Sequence, residues 1–249
     1  MVVLKSRQDL AAMRLAGKIS AQALALGGRA VKPGVTTGSI DKIIHDFIVS
    51  NGAVPSFLGY GGFPGSACIS INDQVIHGIP SEKIVVQEGD IVSIDVGAHI
   101  GGYHGDNAAT FGAGEVSPEA QALMDATRES LYEGIKMAQV GNRVGDIGYA
   151  VEQYCRSRGY GVVKEWCGHG VGRSLHEEPE VPNHGKAGRG PRLVAGMTIA
   201  IEPMINGSGD GVRTLGDEWT VVTTSGSLSA HFEHTVAITE DGPVILTRE

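Results

Sequence analysis

Apolar residues in this chain recur in two successive blocks, each a helix pair followed by strands. Ile40, Ile43, Ile44, Phe47 and Ile48 share one helical face between Thr37 and about Ser50, and Asn51-Gly52 stops the run. Ahead of it, Ser6 to about Ala30 reads as a helix capped by Ser6, with Asp9 placed to answer the cap. Short β-type runs follow at Cys68–Ile71, Val75–His77 and Ile91–Asp95. The order then repeats. Ser117-Pro118 opens a helix running to about Gln139, with Pro118 at the first helical position, where a missing N–H costs nothing. Val140-Gly141-Asn142 breaks it. Ile147, Val151 and Tyr154 define another helix from Val144 to about Arg158. Strand candidates follow at Gly161–Val163, Thr198–Ile201, Thr220–Val222, Thr235–Ile238 and Val244–Leu246. This pattern predicts one α+β domain over residues 1–249, built from similar halves at about 1–112 and 113–249 around one sheet.

A shorter repeat sharpens that picture. Gly89-Asp90-Ile91-Val92-Ser93-Ile94-Asp95 aligns with Gly196-Met197-Thr198-Ile199-Ala200-Ile201-Glu202: a glycine, an apolar strand and a carboxylate in the same register. Each is followed by a second carboxylate beside a histidine, in His104-Gly105-Asp106 and in Glu233-His234. One carboxylate pair therefore falls in each half, and two facing pairs describe a metal cradle.

Asp95 ends an apolar strand, where an ionised carboxylate is costly unless paired or metal-bound. Asp106 lies beyond Gly101-Gly102, a spacing that suits two antiparallel strands joined by a tight turn. Glu202 precedes Pro203, which prevents ordinary continuation of its strand. His169 sits in Gly168-His169-Gly170-Val171-Gly172, where flanking glycines leave the imidazole uncrowded. Taken singly, an Asp in such a place most often serves a turn, and a lone His is most often structural. Together, two Asp, two Glu and one His suit a pair of divalent cations, with Mn, Fe or Co favoured over thiolate-type zinc. Other motifs are weak. Gly168-x-Gly170-x-Gly172 lacks the spacing of a dinucleotide or phosphate loop, and Pro179 rules out HExxH for His176-Glu177-Glu178-Pro179. No GxSxG elbow is present.

Composition narrows the partners. A net charge of −8 argues against nucleic acid as the main partner. The basic cluster Lys186, Arg189, Arg192 reads as a solvated loop. Cys68, Cys155 and Cys167 form no CxxC pair, against a disulfide framework. No apolar run approaches the roughly 18–20 residues that span a bilayer. The N-terminus shows no secretory signature, so a cytoplasmic location is the expectation.

The ordered set Asp95, His104-Gly105-Asp106, Gly168-His169-Gly170-Val171-Gly172, Glu202-Pro203 and Phe232-Glu233-His234-Thr235 resembles type I methionine aminopeptidase, from the first helix to the last strand. That resemblance implies the pseudo-two-fold "pita-bread" fold, a curved antiparallel sheet flanked by two helix pairs. It implies two divalent metal ions (Mn, Fe, Co or Zn) on Asp95, Asp106, His169, Glu202 and Glu233. His77 matches the histidine that contacts the scissile amide nitrogen, His176 the one at the substrate carbonyl, and Glu202 the proton shuttle. Tyr60, Phe63, Cys68 and Trp219 match the wall of the methionine pocket. Two positions depart from the bacterial pattern: Leu175 stands where an aromatic is usual, and Phe57 where a Cys is common. The implied substrates are nascent polypeptide N-termini with a small second residue, met near the ribosome, and the implied state is a monomer. About 25 residues separate His176 from Glu202, too few for the helical insertion of type II enzymes. The first helix begins so early that the N-terminal extension of eukaryotic type I enzymes, and the extra domain of prolidases, are also expected to be missing.

Three other readings stay open from the sequence: a pita-bread aminopeptidase of Xaa-Pro specificity, a thiol hydrolase using Cys68 or Cys167, and a metal-free binding relative.

Overall fold

The computed structural model describes residues 2–248. Helices α1 (Arg7–Ala30) and α2 (Thr37–Ser50) come first, then strands β1 (Val54–Pro55), β2 (Ala67–Ile71), β3 (Gln74–Ile76), β4 (Ile91–Ile100) and β5 (Tyr103–Gly112). Helices α3 (Pro118–Met137) and α4 (Val144–Arg156) follow, with β6 (Gly161–Val162), β7 (Gly168–Gly170), β8 (Glu177–Val181), β9 (Thr198–Ile201) and β10 (Met204–Asn206). The chain ends in β11 (Val212–Thr214), β12 (Val221–Thr223), β13 (Ser229–His231), β14 (His234–Thr239) and β15 (Gly242–Ile245).

Local chemistry sets the helix starts. The Ser6 hydroxyl accepts the Asp9 N–H at 3.2 Å, and the Asp9 carboxylate accepts the Ser6 N–H at 2.8 Å, a reciprocal cap. The Thr36 and Ser117 hydroxyls cap α2 and α3 one way only, accepting the N–H of Ser39 and Ala120. The apolar stripe of α2 is fully buried at Ile40, Ile44 and Ile48, each worth about 1.5–3 kcal/mol against exposure. These side chains join β2 and β4 in one core cluster. A second cluster sets α3 and α4 against Ile199, Ile201, Val236 and Ile238. Helix α1 also reaches the later strands, since Met13 packs with Val171, Ala200, Ala237 and Leu246 in a third cluster.

Every strand pairing is antiparallel, and the strands fall into four hydrogen-bonded groups where the sequence suggested one sheet. Pro203 is one physical cause. It lies between β9, which pairs with β14 and β7, and β10, which pairs with β13 and β6. The β4–β5 hairpin is the longest ladder, paired from Ile91↔Gly112 to Ile100↔Tyr103. Its turn runs through Gly101 and Gly102 at φ +62° and +81°, where a Cβ would be strained. Helix α1 lies close on this hairpin because both backbones are bare: a Cβ on Gly105 would fall 2.4 Å from Gly17 N.

Several expectations shift. Asp95 is not at a strand end but in mid-strand, because β4 continues to Ile100. His77 lies just past β3 with φ +59°, outside the strand assigned to it. Helices α3 and α4 stop at Met137 and Arg156, short of Gln139 and Arg158.

Candidate active site

The two halves meet through the strands that carry the carboxylates. Glu233 N–H donates to Ala108 O at 2.9 Å, and Asp106 N–H donates to Thr235 Oγ1 at 3.1 Å. The Thr235 hydroxyl donates back to Asp106 O at 2.8 Å. On β4 and β5, Asp95 faces Ala108 and Asp106 faces Gly97. Cross-strand partners point the same way and positions two apart share a face, so both carboxylates emerge on one side as diagonal neighbours.

His169 arrives from β7, held flat between β8 and β9. A Cβ on Gly168 would lie 2.3 Å from Ala200 O, and one on Gly170 2.3 Å from Glu178 O. The glycines therefore serve close backbone packing rather than room for the imidazole, which corrects the sequence reading. His169 Nδ1 stands 2.8 Å from Gly170 O, a contact only an N–H can make. Burial keeps the ring neutral, so with the hydrogen on Nδ1 the Nε2 lone pair faces the carboxylates. Nε2 is 3.5 Å from Glu202 Oε1 and 3.8 Å from Asp106 Oδ2. Glu202 follows β9 directly, and its carbonyl accepts the Asn183 side-chain N–H at 2.9 Å.

Ligand atoms of Asp106, His169 and Glu233 all lie within 4.8 Å of one another. Asp95 and Glu202 stand outside that tightest group but line the same cavity. Among the described residues, Asp95 Oδ1, Asp106 Oδ1 and Glu233 Oε1 are buried without a hydrogen-bond partner. Facing acceptors with no donor between them are unfavourable for water-free packing and suited to a hard cation. The residues fit a divalent metal. Without one, burial and mutual repulsion drive the carboxyl groups upward: Asp95 to about 7, Glu202 to about 8, and Asp106 and Glu233 well above the ordinary carboxylate range.

The cavity has a volume of about 770 Å³ and is lined by all the predicted site residues: the five acidic and imidazole groups above with Tyr60, Phe63, Cys68, His77, His176 and Trp219. Phe57, Phe63, Cys68 and Leu175 pack as one buried cluster, with Trp219 against it. The two departures from the bacterial pattern thus meet in one wall, a larger ring at 57 beside a smaller chain at 175. His77 stands edge-on to Trp166 at 5.0 Å between ring centroids, and burial holds it down to about 4. His176 is exposed at the mouth, its ring 4.1 Å from that of His169. Its Nδ1 is 2.7 Å from Tyr60 Oη. Tyr60 itself is 46% exposed, so it forms a rim rather than an inner wall.

Burial raises the Cys68 thiol well above its ordinary value and Cys167 to about 11, which leaves neither as a ready thiolate. Sequence reasoning gave no role to His231, whose ring lies beside Glu202. Its position two residues before Glu233 was the available signal.

The description Metallopeptidase family M24 matches residues 11–240. The chain belongs to family M24. Within it, the chain is 52% identical over 247 residues to the methionine aminopeptidase of Clostridium acetobutylicum, covering 99% of each. The crystal structure of methionine aminopeptidase from Thermotoga maritima superposes with a TM-score of 0.98 at 42% identity, over 100% of both chains. A prolidase from Pyrococcus horikoshii OT3 shares the fold alone, with a TM-score of 0.78 at 22% identity, covering 100% of this chain and 64% of that one. The pita-bread α+β architecture of family M24 is therefore the architecture of this chain. No helix among the described residues is long and apolar enough to cross a membrane.

Proposed function

We propose that the chain is a metal-dependent aminopeptidase that removes N-terminal methionine from new proteins and peptides. The observation that carries this reading is the convergence of unpartnered acceptors of Asp95, Asp106 and Glu233 beside His169 and Glu202, in a cavity whose other wall is apolar. Asp95, Asp106, His169, Glu202 and Glu233 hold two divalent ions, drawn from Mn, Fe, Co or Zn. Such ions supply an activated water and Lewis acidity at neutral pH.

The protein's own groups do the rest. Glu202, which follows β9 directly and lines the cavity beside the cation site, is the group placed to take and return a proton. His77, neutral there, meets the scissile amide nitrogen, and His176 meets the substrate carbonyl from the cavity mouth. The methionine thioether enters the cluster of Phe57, Phe63, Cys68, Leu175 and Trp219, where aromatic edges and a soft sulfur suit its polarizable chain. Both halves, about 1–112 and 113–249, contribute to this one domain's site. Its substrates are nascent polypeptide N-termini near the ribosome, and it works in the cytoplasm as a monomer.

A peptide panel tests the reading. Met-Ala-Ser is expected to be cleaved, Met-Lys-Ser slowly, and Ala-Pro and Leu-leading peptides left intact. Preferential cleavage of Ala-Pro would replace this reading with Xaa-Pro specificity, and equal rates on Met-Ala and Met-Lys would remove the preference for a small second residue.

A further inference from the structure

Glu202 is bracketed by two imidazoles. Oε1 faces His169 Nε2 at 3.5 Å, and Oε2 faces His231 Nε2 at the same 3.5 Å. His231 is 1% exposed and stands outside the cavity lining. Its Nε2 is the one buried side-chain nitrogen among the described residues that has no hydrogen-bond partner. A buried polar atom left open beside a carboxylate calls for a physical reason.

The frame around His231 is stiff. It closes β13 opposite Met204 of β10, two residues beyond Glu202. The Thr110 hydroxyl accepts the His231 N–H at 2.9 Å and lies 2.9 Å from the His231 carbonyl oxygen. Thr110 Oγ1 is in turn 2.8 Å from Ser93 Oγ on β4. Both halves of the molecule therefore fix the backbone that carries this buried imidazole. Glu202, by contrast, has a terminal carboxylate torsion with a broad minimum, so its oxygens are poorly oriented by its own covalent geometry. At 3.5 Å the Nε2–Oε2 pair is longer than a formed N–H···O bond, and rotation about that soft torsion is the motion that shortens it.

We propose that His231 is a positioning residue for Glu202, its Nε2–H holding Oε2 so that Oε1 stays directed at the cation site. Outer partners of this kind set ligand orientation and basicity and are worth about 10–100-fold in metal affinity or activity. The proposal rests on the reading that Glu202 and its neighbours hold divalent ions.

The test is cobalt(II) binding by calorimetry, with the visible ligand-field spectrum, on the metal-stripped parent and three variants. His231→Gln places a carboxamide N–H close to where Nε2 stands, so it keeps the parent affinity within about 3-fold, while His231→Leu loses about 10–100-fold and shifts the spectrum. His231→Asn, whose amide falls short of Oε2, behaves as Leu does. In turnover, kcat falls in the Leu and Asn variants more than KM changes. If the Leu variant does not fold, the Gln and Asn pair decides. Parent affinity and spectrum in His231→Leu, or equal affinity in Gln and Asn, would overturn the role of His231 while leaving the metal site intact. A parent protein that takes up no cobalt would overturn both.

Discussion

Tyr60 and His176 meet at the cavity mouth, with Tyr60 Oη 2.7 Å from His176 Nδ1. The sequence places Tyr60 in an apolar wall, yet its hydroxyl is a handle on the His176 imidazole, which lies between buried Leu175 and the start of β8. Together with the His169 ring 4.1 Å away, that contact limits rotation of the imidazole and sets which face of it meets substrate. Tyr60→Phe removes the hydroxyl and keeps the ring. A single hydrogen bond of about 0.5–1.5 kcal/mol predicts a loss in kcat/KM of about 2- to 12-fold, with metal content unchanged. Parent kcat/KM in that variant would show the contact to be idle.

Thiol chemistry gives a separate check. Cys68 lies in the buried pocket cluster with its pKa pushed up by burial and by Asp95 and Asp106 beside it. Cys167 is held at about 11. Iodoacetamide at pH 7.5 is therefore expected to leave activity nearly intact over an hour, as measured by residual Met-Ala-Ser hydrolysis. Rapid inactivation at that pH would favour a thiol hydrolase.

How much of this was legible in the sequence follows from the range of the interactions involved. Helix starts were, because Ser6 with Asp9, and Ser117 with Pro118, act over one turn. The strand repeat ending in Asp95 and Glu202 was, because it is a pattern in one dimension. The full length of β4 was not. Val96 and Ala98 alternate with Gly97 and His99, so the apolar run that marks its first half fades, and pairing with β5 carries it on to Ile100. Strands as short as β7 and β10 depend wholly on neighbours distant in sequence. At the site, residue types pointed to the ligand set, but the burial that lifts Glu202 and the imidazole of His231 beside it exist only after the halves close.

Stability of the metal-free protein should vary with pH in a direction set by those burials. Asp95 is raised from 3.8 to about 7 and Glu202 from 4.5 to about 8. Over that range the folded chain holds protons that the unfolded chain has released, so stability falls as pH rises. His77 runs the other way, lowered from 6.5 to about 4, so its stabilisation is lost as pH falls below 6.5. His104, His169 and His234 are lowered in the same way, and this opposing contribution fades as the unfolded histidines lose their protons above 6.5, leaving the carboxyl groups dominant. The urea midpoint of the stripped protein should therefore drop between pH 6.5 and 8, and saturating divalent cation should flatten that slope by replacing the protons. A midpoint rising with pH in the stripped protein would contradict the burial of these carboxyl groups.

The central claim is that Asp95, Asp106, His169, Glu202 and Glu233 form a divalent-cation site on which aminopeptidase activity depends. It is tested most directly by assaying Met-Ala-Ser hydrolysis on chelator-stripped protein, with residual metal quantified by mass spectrometry, before and after adding back Mn, Fe, Co or Zn. The account predicts no turnover in the stripped protein and recovery with at least one of these ions. Hydrolysis at the full rate by protein shown to be metal-free would contradict it.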